Sequence, residues 1–188
     1  MKPDKLSTQA LEQTPVNLNI EVAQFAPEDW ALFKDLRLRA LQTDPLAFGA
    51  TYEEQSKISD EEWRARLENP AQKWFFSRES GKLIAMAGVN FAQKEHIKHR
   101  AEIIGVFVDS AYRKQGVGED LMKNILENLK ANPEIAKVAL SVRGSQEAAK
   151  KLYEKLGFRL VGVHEKEAKI EGQYYDVIDM ELIFPDKL

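Results

Sequence analysis

One stretch limits what this chain can fold into more than any other: Val106-Phe107-Val108-Asp109-Ser110-Ala111-Tyr112-Arg113-Lys114-Gln115-Gly116-Val117-Gly118. It reads as an apolar strand, a short polar turn, then Arg-x-x-Gly-x-Gly running into a helix. Val117, Leu121, Met122, Ile125, Leu126 and Leu129 follow at intervals that keep them on one helix face. The glycines therefore open a helix, where backbone N–H groups have no intrahelical acceptor and the dipole is positive. With no Cβ on Gly116 or Gly118, an anion can approach that backbone closely. Arg113 and Lys114 add cationic side chains at the rim. This is the chemistry of a pyrophosphate cradle.

Two common cradles do not fit. A dinucleotide fingerprint needs a third glycine three residues after the second, where this chain has Leu121. A nucleoside-triphosphate loop needs Gly-Lys-Ser/Thr, and Gly118-Glu119-Asp120 puts an acidic pair there instead. On these residues alone, a tight turn with good packing remains open.

A second constellation follows. Lys137 to Val142 reads as a strand by its Val and Leu content. Ala148, Ala149, Leu152, Tyr153 and Leu156 mark a short helix, ended by Gly157 and followed by Phe158. At this point the chain resembles the GNAT superfamily of N-acetyltransferases. Arg113-x-x-Gly116-x-Gly118 looks like its acetyl-CoA pyrophosphate motif. Ala149-x-x-Leu152-Tyr153-Glu154-Lys155-Leu156-Gly157-Phe158 looks like its second motif. Gly172-Gln173-Tyr174-Tyr175-Asp176, followed by Met180-Glu181-Leu182, resembles its C-terminal strand. The likeness covers roughly residue 18 to the C-terminus.

Bulk properties narrow the rest. A chain of 188 residues suits one well-buried domain, and 44% hydrophobic with 30% charged content is ordinary for a globular protein. Residues 1–17 are polar, lack the apolar core of a secretory signal and read as a flexible tail, leaving 18–188 as the catalytic domain. No apolar run approaches the roughly 20 residues of a membrane helix, so a cytoplasmic location without membrane contact is expected. Zero cysteines exclude disulfides and thiolate chemistry, and His96, His99 and His164 are not spaced like zinc ligands. No metal is expected. A net charge of −3 disfavours nucleic-acid binding and suits a cationic substrate such as an amine. A monomer or homodimer is expected.

The element order predicts the architecture. Residues 18–25 read as a first strand. Pro27 opens a helix carrying Trp30, Phe33, Leu36, Ala40 and Leu41 on one face, and Asp44-Pro45 ends it. Ser59-Asp60-Glu61-Glu62 is a capping box that opens a second helix to about Leu67. Lys73–Arg78 and Lys82–Phe91 form a hairpin about Glu79-Ser80-Gly81, and the basic run Lys94 to Arg100 is a solvated loop before a strand from Glu102 to Val108. Strand, helix, strand and helix follow, so the fourth and fifth strands are parallel with a right-handed crossover. Residues 158–165 and 174–184 make an antiparallel pair. The expected fold is α/β: a GNAT fold with a mixed, mostly antiparallel sheet of about seven strands, a splayed parallel pair and helices on both faces.

The resemblance implies that the pantetheine arm of acetyl-CoA lies between the splayed strands like an inserted strand. Its binding set is then Val106, Phe107, Val108, Arg113, Lys114, Gln115, Gly116, Val117, Gly118, Glu119 and Gln146, the last standing where many members carry asparagine. Acetyl transfer needs a neutral amine, and a free alkylamine is unprotonated only about once in two thousand at pH 7, about 4 to 5 kcal/mol of availability. It also needs a proton for the thiolate, and Tyr153 stands where the family carries that acid. Backbone N–H groups near Val106 and Val108 are the expected oxyanion donors. Glu102 stands where histone-type members carry a basic glutamate, and it shares parity with Ile104, Val106 and Val108. Members that acetylate ribosomal-protein N-termini carry a glutamate on the fifth strand, where this chain has Ser141. Phe48, Tyr52 and Glu53, with Leu46 and Trp63, are candidates for the acceptor pocket. The expected reaction is transfer of acetyl from acetyl-CoA to a primary amine of a small molecule, by direct attack in a ternary complex. A protein N-terminal or lysine acetyltransferase and a catalytically silent acyl-CoA-binding module are the alternatives.

Overall fold

The computed structural model describes residues 19–170 and 172–187. The expected tail and the start of the first strand at Leu18 lie outside the described residues. Strand β1 (Ile20–Gln24) leads through a single 3-10 turn, Pro27–Asp29, into α1 (Trp30–Thr43). Proline presets φ for that turn, and the Asp29 carboxylate accepts the Ala26 N–H at 2.8 Å. Helix α1 buries Phe33, Leu36, Arg37, Ala40 and Leu41 and stops at Asp44, ahead of Pro45.

Two short helices follow, α2 (Tyr52–Gln55) and α3 (Asp60–Glu68). Both start with capping boxes, Thr51 with Glu54 and Ser59 with Glu62. The second of these is the box the sequence announces. The first is equally present as Thr-x-x-Glu, but four residues are too few to show apolar periodicity. Strands β2 (Gln72–Glu79) and β3 (Lys82–Phe91) turn through Ser80 and Gly81, both at positive φ (48° and 83°), which matches the twist of a two-residue hairpin. Then come β4 (Arg100–Val108), α4 (Val117–Ala131), β5 (Lys137–Arg143), α5 (Glu147–Lys155), β6 (Arg159–Ile170) and β7 (Gln173–Ile183).

The seven strands form one sheet in the order β1-β2-β3-β4-β5-β7-β6, with β4 and β5 the parallel pair. Helices cover both faces, as the element order requires. One core lies under α4 and α5 and includes Ile84, Leu121, Met122, Ile125, Leu140 and Met180. The other lies under α1 and α3 and is aromatic: Phe33, Trp63, Trp74, Phe76 and Phe107.

One irregularity in β4 corrects an expectation. Met86 pairs with Phe107 but Gly88 pairs with Ile104, so Gly105 and Val106 together oppose Ala87 in a β-bulge. Gly105 stands at φ +60°, a conformation that favours glycine. The extra residue reverses parity along the strand. Before it, Ala101 and Ile103 face the α4 core; after it, Val106 and Val108 do. Glu102 therefore shares its face with Ile104 and Phe107, toward α1, and not with Val106 and Val108 as simple alternation implies.

A Cβ on Gly105 would lie 2.8 Å from Arg37 Nη1 and 3.2 Å from the Trp74 ring. Gly105→Ala should therefore lower the unfolding free energy by about 2 to 4 kcal/mol, from left-handed backbone strain and overpacking together. Gly162→Ala, whose Cβ would meet nothing within 4 Å, should stay within about 0.5 kcal/mol of wild type. Urea denaturation of the two variants checks the contrast.

Candidate functional site

Pairing between β4 and β5 runs from Arg100 with Lys137 to Ile103 with Leu140 and stops there. Beyond that point each strand keeps its other neighbour. Phe107 and Val108 stay bonded to β3, while Ser141, Val142 and Arg143 stay bonded to β7. The facing edges diverge into a V, and backbone donors and acceptors along both arms are left without strand partners. A cleft of about 800 Å³ occupies the V and continues to the start of α4. Gly105, Val106, Phe107 and Val108 border one arm; Leu140, Ser141 and Val142 border the other.

The glycine loop lines that cleft at the start of α4. Lys114 at φ 59° and Gly116 at φ 87° wind the chain so that Gly116 becomes the N-cap of α4. Asp120 N–H is the first to find an intrahelical acceptor, the Gly116 carbonyl. The N–H groups of Val117, Gly118 and Glu119 precede it at the positive end of a fifteen-residue helix. Gly118 packs so closely against β4 that a Cβ there would lie 3.2 Å from Val108 Cγ2. The loop backbone and the end of the strand arm are thus one surface.

Charges at the rim are already organised. Arg113 folds back onto its own strand, donating from Nε to the Val108 carbonyl at 2.9 Å and pairing through Nη2 with Asp44 at 2.9 Å. It ties the end of α1 to the end of β4. Glu119 borders the cleft, and its carboxylate is held by Lys123 at 2.7 Å and Lys155 at 2.6 Å. Those hydrogen bonds, Lys123 first, bring its pKa down to about 2, so its charge is matched by the two lysines.

Tyr153 comes from α5. Its ring is 5% exposed, packs against Phe158 at 6.0 Å and borders the cleft. The turn that aims it is a glycine-terminated helix end: Phe158 N–H returns to the Tyr153 carbonyl, and Gly157 sits at φ 94°. Burial pushes its hydroxyl well above the ordinary phenol value. Gln146, the N-cap of α5, also borders the cleft.

Other sequence candidates stand elsewhere. Gln115 does not border the cleft and donates to the Ala111 carbonyl at 2.8 Å. Glu102 is exposed and flanked by Asn90 and Ala139 on the neighbouring strands. Phe48 is buried under the Arg37 guanidinium, 4.3 Å from its ring centroid. Trp63 is fully buried. Tyr52 and Glu53 are exposed on α2 and do not border the cleft, whereas Leu46 and Ala47 do.

Sequence reasoning missed one cluster. Ser141 Oγ donates to Asp179 Oδ1 at 2.7 Å, and Asp179 Oδ2 meets His164 Nε2 at 2.7 Å. The three stand on β5, β7 and β6. The available signal was a pair of ionisable residues, Asp179 and Glu181, alternating with the apolar residues of 177–182, the same kind of signal that singled out Glu102. Arg143, also missed, donates from Nη2 to the Phe48 carbonyl at 2.7 Å and fixes the loop after α1 over β5. Among the described residues no group of acidic and histidine side chains is arranged to hold a metal, and no helix is long and apolar enough to cross a membrane.

Comparison with known proteins adds to this geometry. The model of the acetyltransferase (GNAT) family matches residues 36–158. The L-amino acid N-acetyltransferase AaaT of Escherichia coli (strain K12) is 28% identical over 123 residues, which cover 65% of this chain and 75% of that protein. The ribosomal protein bS18 alanine N-acetyltransferase of the same organism is 33% identical over 101 residues, covering 54% of this chain and 60% of that protein. A crystal structure of a GNAT-family acetyltransferase from Streptococcus pneumoniae superposes with a TM-score of 0.78 at 24% identity, over 88% of this chain and 100% of that one.

The loop geometry yields a test. Gly118→Asp places a carboxylate against the helix N-terminus and should weaken CoA binding at least about tenfold by calorimetry, through lost dipole stabilisation and like-charge repulsion. Gly118→Ala, crowded only by Val108, should lose less. Equal CoA affinity in Gly118→Asp and wild type would remove the loop from the binding site.

Proposed function

The chain belongs to the acetyltransferase (GNAT) family and is an acetyl-CoA-dependent N-acyltransferase, and from that premise we propose that it acetylates a primary amine of a small molecule by direct attack in a ternary complex. The observation that carries the reading is the V between β4 and β5, continuous with the glycine loop at α4. An extended arm with amide groups fits unpaired strand edges, and a pyrophosphate fits three free helix N–H groups. Val106, Phe107 and Val108 hold the arm. Gly116, Val117, Gly118 and Glu119 hold the phosphates through backbone N–H groups, with Arg113 and Lys114 at the rim. Gln146 faces the cleft from the other side.

The cosubstrate supplies an activated thioester. The chain's part is to place an amine beside it and manage two protons. Tyr153 is the proton donor to the departing sulfur. Because burial raises its pKa, it stays protonated throughout any assay range. The same burial makes full transfer to a thiolate steeper than between free groups, so the hydroxyl hydrogen-bonds the sulfur first and releases its proton late. The unpaired N–H groups near Val106 and Val108 stabilise charge on the carbonyl oxygen.

One observation favours a small acceptor over a protein N-terminus. The β5 position that carries glutamate in N-terminal acetyltransferases of the family is Ser141.

Thiol release from acetyl-CoA, followed across a panel of amino acids, polyamines and amine-bearing peptides, tests the substrate class. Release with small amines and none with peptides is expected. Peptide-only release would move the acceptor to proteins, and tight CoA binding without any acceptor-dependent release would leave a silent binding module. Tyr153→Phe should lower kcat by about ten- to ten-thousand-fold with CoA affinity unchanged. Wild-type kcat should show no falling limb below about pH 10, since Tyr153 is raised above that value. A Tyr153→Phe variant with wild-type turnover would leave water as the donor.

A further inference from the structure

We propose that Ser141 and Asp179 form the subsite for the acceptor amine and take its proton, with His164 setting the charge that Asp179 presents. The proposal rests on the acetyltransferase reading above and names the part of the site that reading leaves open.

Position is the first argument. Ser141 is the first residue of β5 beyond its last pair with β4, so it stands at the apex of the V, and it borders the cleft. Leu140 and Val142 point into the α4 core, which turns Ser141 to the opposite face. Its cross-strand partner on β7 is Asp179, on that same face. Hydrogen-bond polarity is the second. Ser141 Oγ spends its one proton on Asp179 Oδ1 at 2.7 Å, which leaves its lone pairs for an N–H donor arriving from the cleft. The carboxylate behind it makes that hydroxyl a stronger acceptor. Asp179 Oδ2 is engaged by His164 Nε2, so the carboxylate cannot turn away.

The charges around the pair are largely committed. On β5, Arg143 is bonded to the Phe48 carbonyl and lies near Asp44 and Tyr175. On β7, Glu181 is paired with Lys137, and Asp176 accepts the Lys166 N–H. On β6, Glu167 acts on His164. On β4, Glu102 shares the face but is exposed.

The C–N bond forms and the C–S bond breaks. The nitrogen, far more acidic once bonded to the acyl carbon, passes its proton to Ser141 Oγ as the Ser141 proton passes to Asp179 Oδ1. The thiolate takes the Tyr153 proton, and water carries the proton from Asp179 back to Tyr153. His164 acts through Asp179 as a positioning residue. Its hydrogen bond to Asp179 raises its pKa above 6.5, and Asp179 is held low by Ser141 and then by His164. Imidazolium weakens Asp179 as a base and neutral imidazole restores it, so activity falls as pH drops through the raised His164 value.

The test uses the full chain with acetyl-CoA, in water alone and with the amine panel. Asp179→Asn should lower both amine-dependent release and the slow hydrolysis of acetyl-CoA by about 100-fold, because water presents its proton to the same acceptor. Ser141→Ala should lower both by about tenfold or more. CoA affinity and melting temperature should stay near wild type in each. His164→Gln keeps an N–H donor without titration, so it should keep its rate at pH above the raised His164 value and move the acid limb to lower pH. Wild-type rates in Asp179→Asn, or an unmoved acid limb in His164→Gln, would overturn the proposal. Wild-type protein that uses no amine would count against the primary-amine reading, and the hydrolysis arm would still decide whether Asp179 accepts the proton.

Discussion

Past Ile103, β4 has hydrogen-bonded strand neighbours on one side only, and the rest of the site depends on that fact. A sheet normally closes every such gap, because a buried N–H or C=O without a partner costs about 1 to 3 kcal/mol. Here the two parallel strands are pulled apart by what each is bonded to. β4 follows β3 into its hairpin, and β5 follows β7. Gly118 packs on Val108, wedging the start of α4 against one arm. The same divergence therefore sets the open strand edges and the helix N-terminus side by side, one suited to amides and the other to phosphate.

The bulge at Gly105 is braced from the α1 side by an unusual cation. Arg37 is 8% exposed, stacks on Phe48 and Trp74, and donates to Gln55 Oε1 at 3.2 Å. Burial, and then the neighbouring Arg66, lower its pKa to about 10. Among the described residues no carboxylate pairs with Arg37, which is expensive for a buried guanidinium, and stacking against two aromatic faces offsets part of that cost. Its Nη1 fills the space that a Cβ at position 105 would need. Arg37, Trp74 and Gly105 thus form one packed unit directly behind the cleft arm, holding the bulge in a single register.

Much of this was legible in the residues. The Ser59–Glu62 capping box, the Ser80-Gly81 turn, the α4 periodicity and the glycine at the end of α5 are local signals, each with its own stereochemistry, and each element appears where its signal stands. The parallel pair followed from connectivity. The parity of β4 did not, because period-two alternation holds only between bulges and nothing in Ile104-Gly105-Val106 separates a bulge from an ordinary strand glycine. Phe48 illustrates another limit. An aromatic near a cleft looks like a pocket wall in sequence, yet here it lies under Arg37, a partner eleven residues earlier on a different element.

Register, more than face, decides which carboxylate can reach the reacting bonds. Glu102, Ser141 and Asp179 all stand on the α1 face of the sheet, because Glu102 pairs with Ala139 and Ser141 follows two residues later on the same strand. Glu102 lies one residue short of the last β4–β5 pair, where the strands are still bonded to each other. Ser141 is the first β5 residue beyond that pair, and Asp179 lies immediately behind it on β7. The bulge acts on the other arm, turning Val106 and Val108 to the α4 side, opposite Glu102. A carboxylate one strand removed, reached through a hydroxyl, thus stands closer in the register to the apex of the V than the carboxylate on the bulged strand itself.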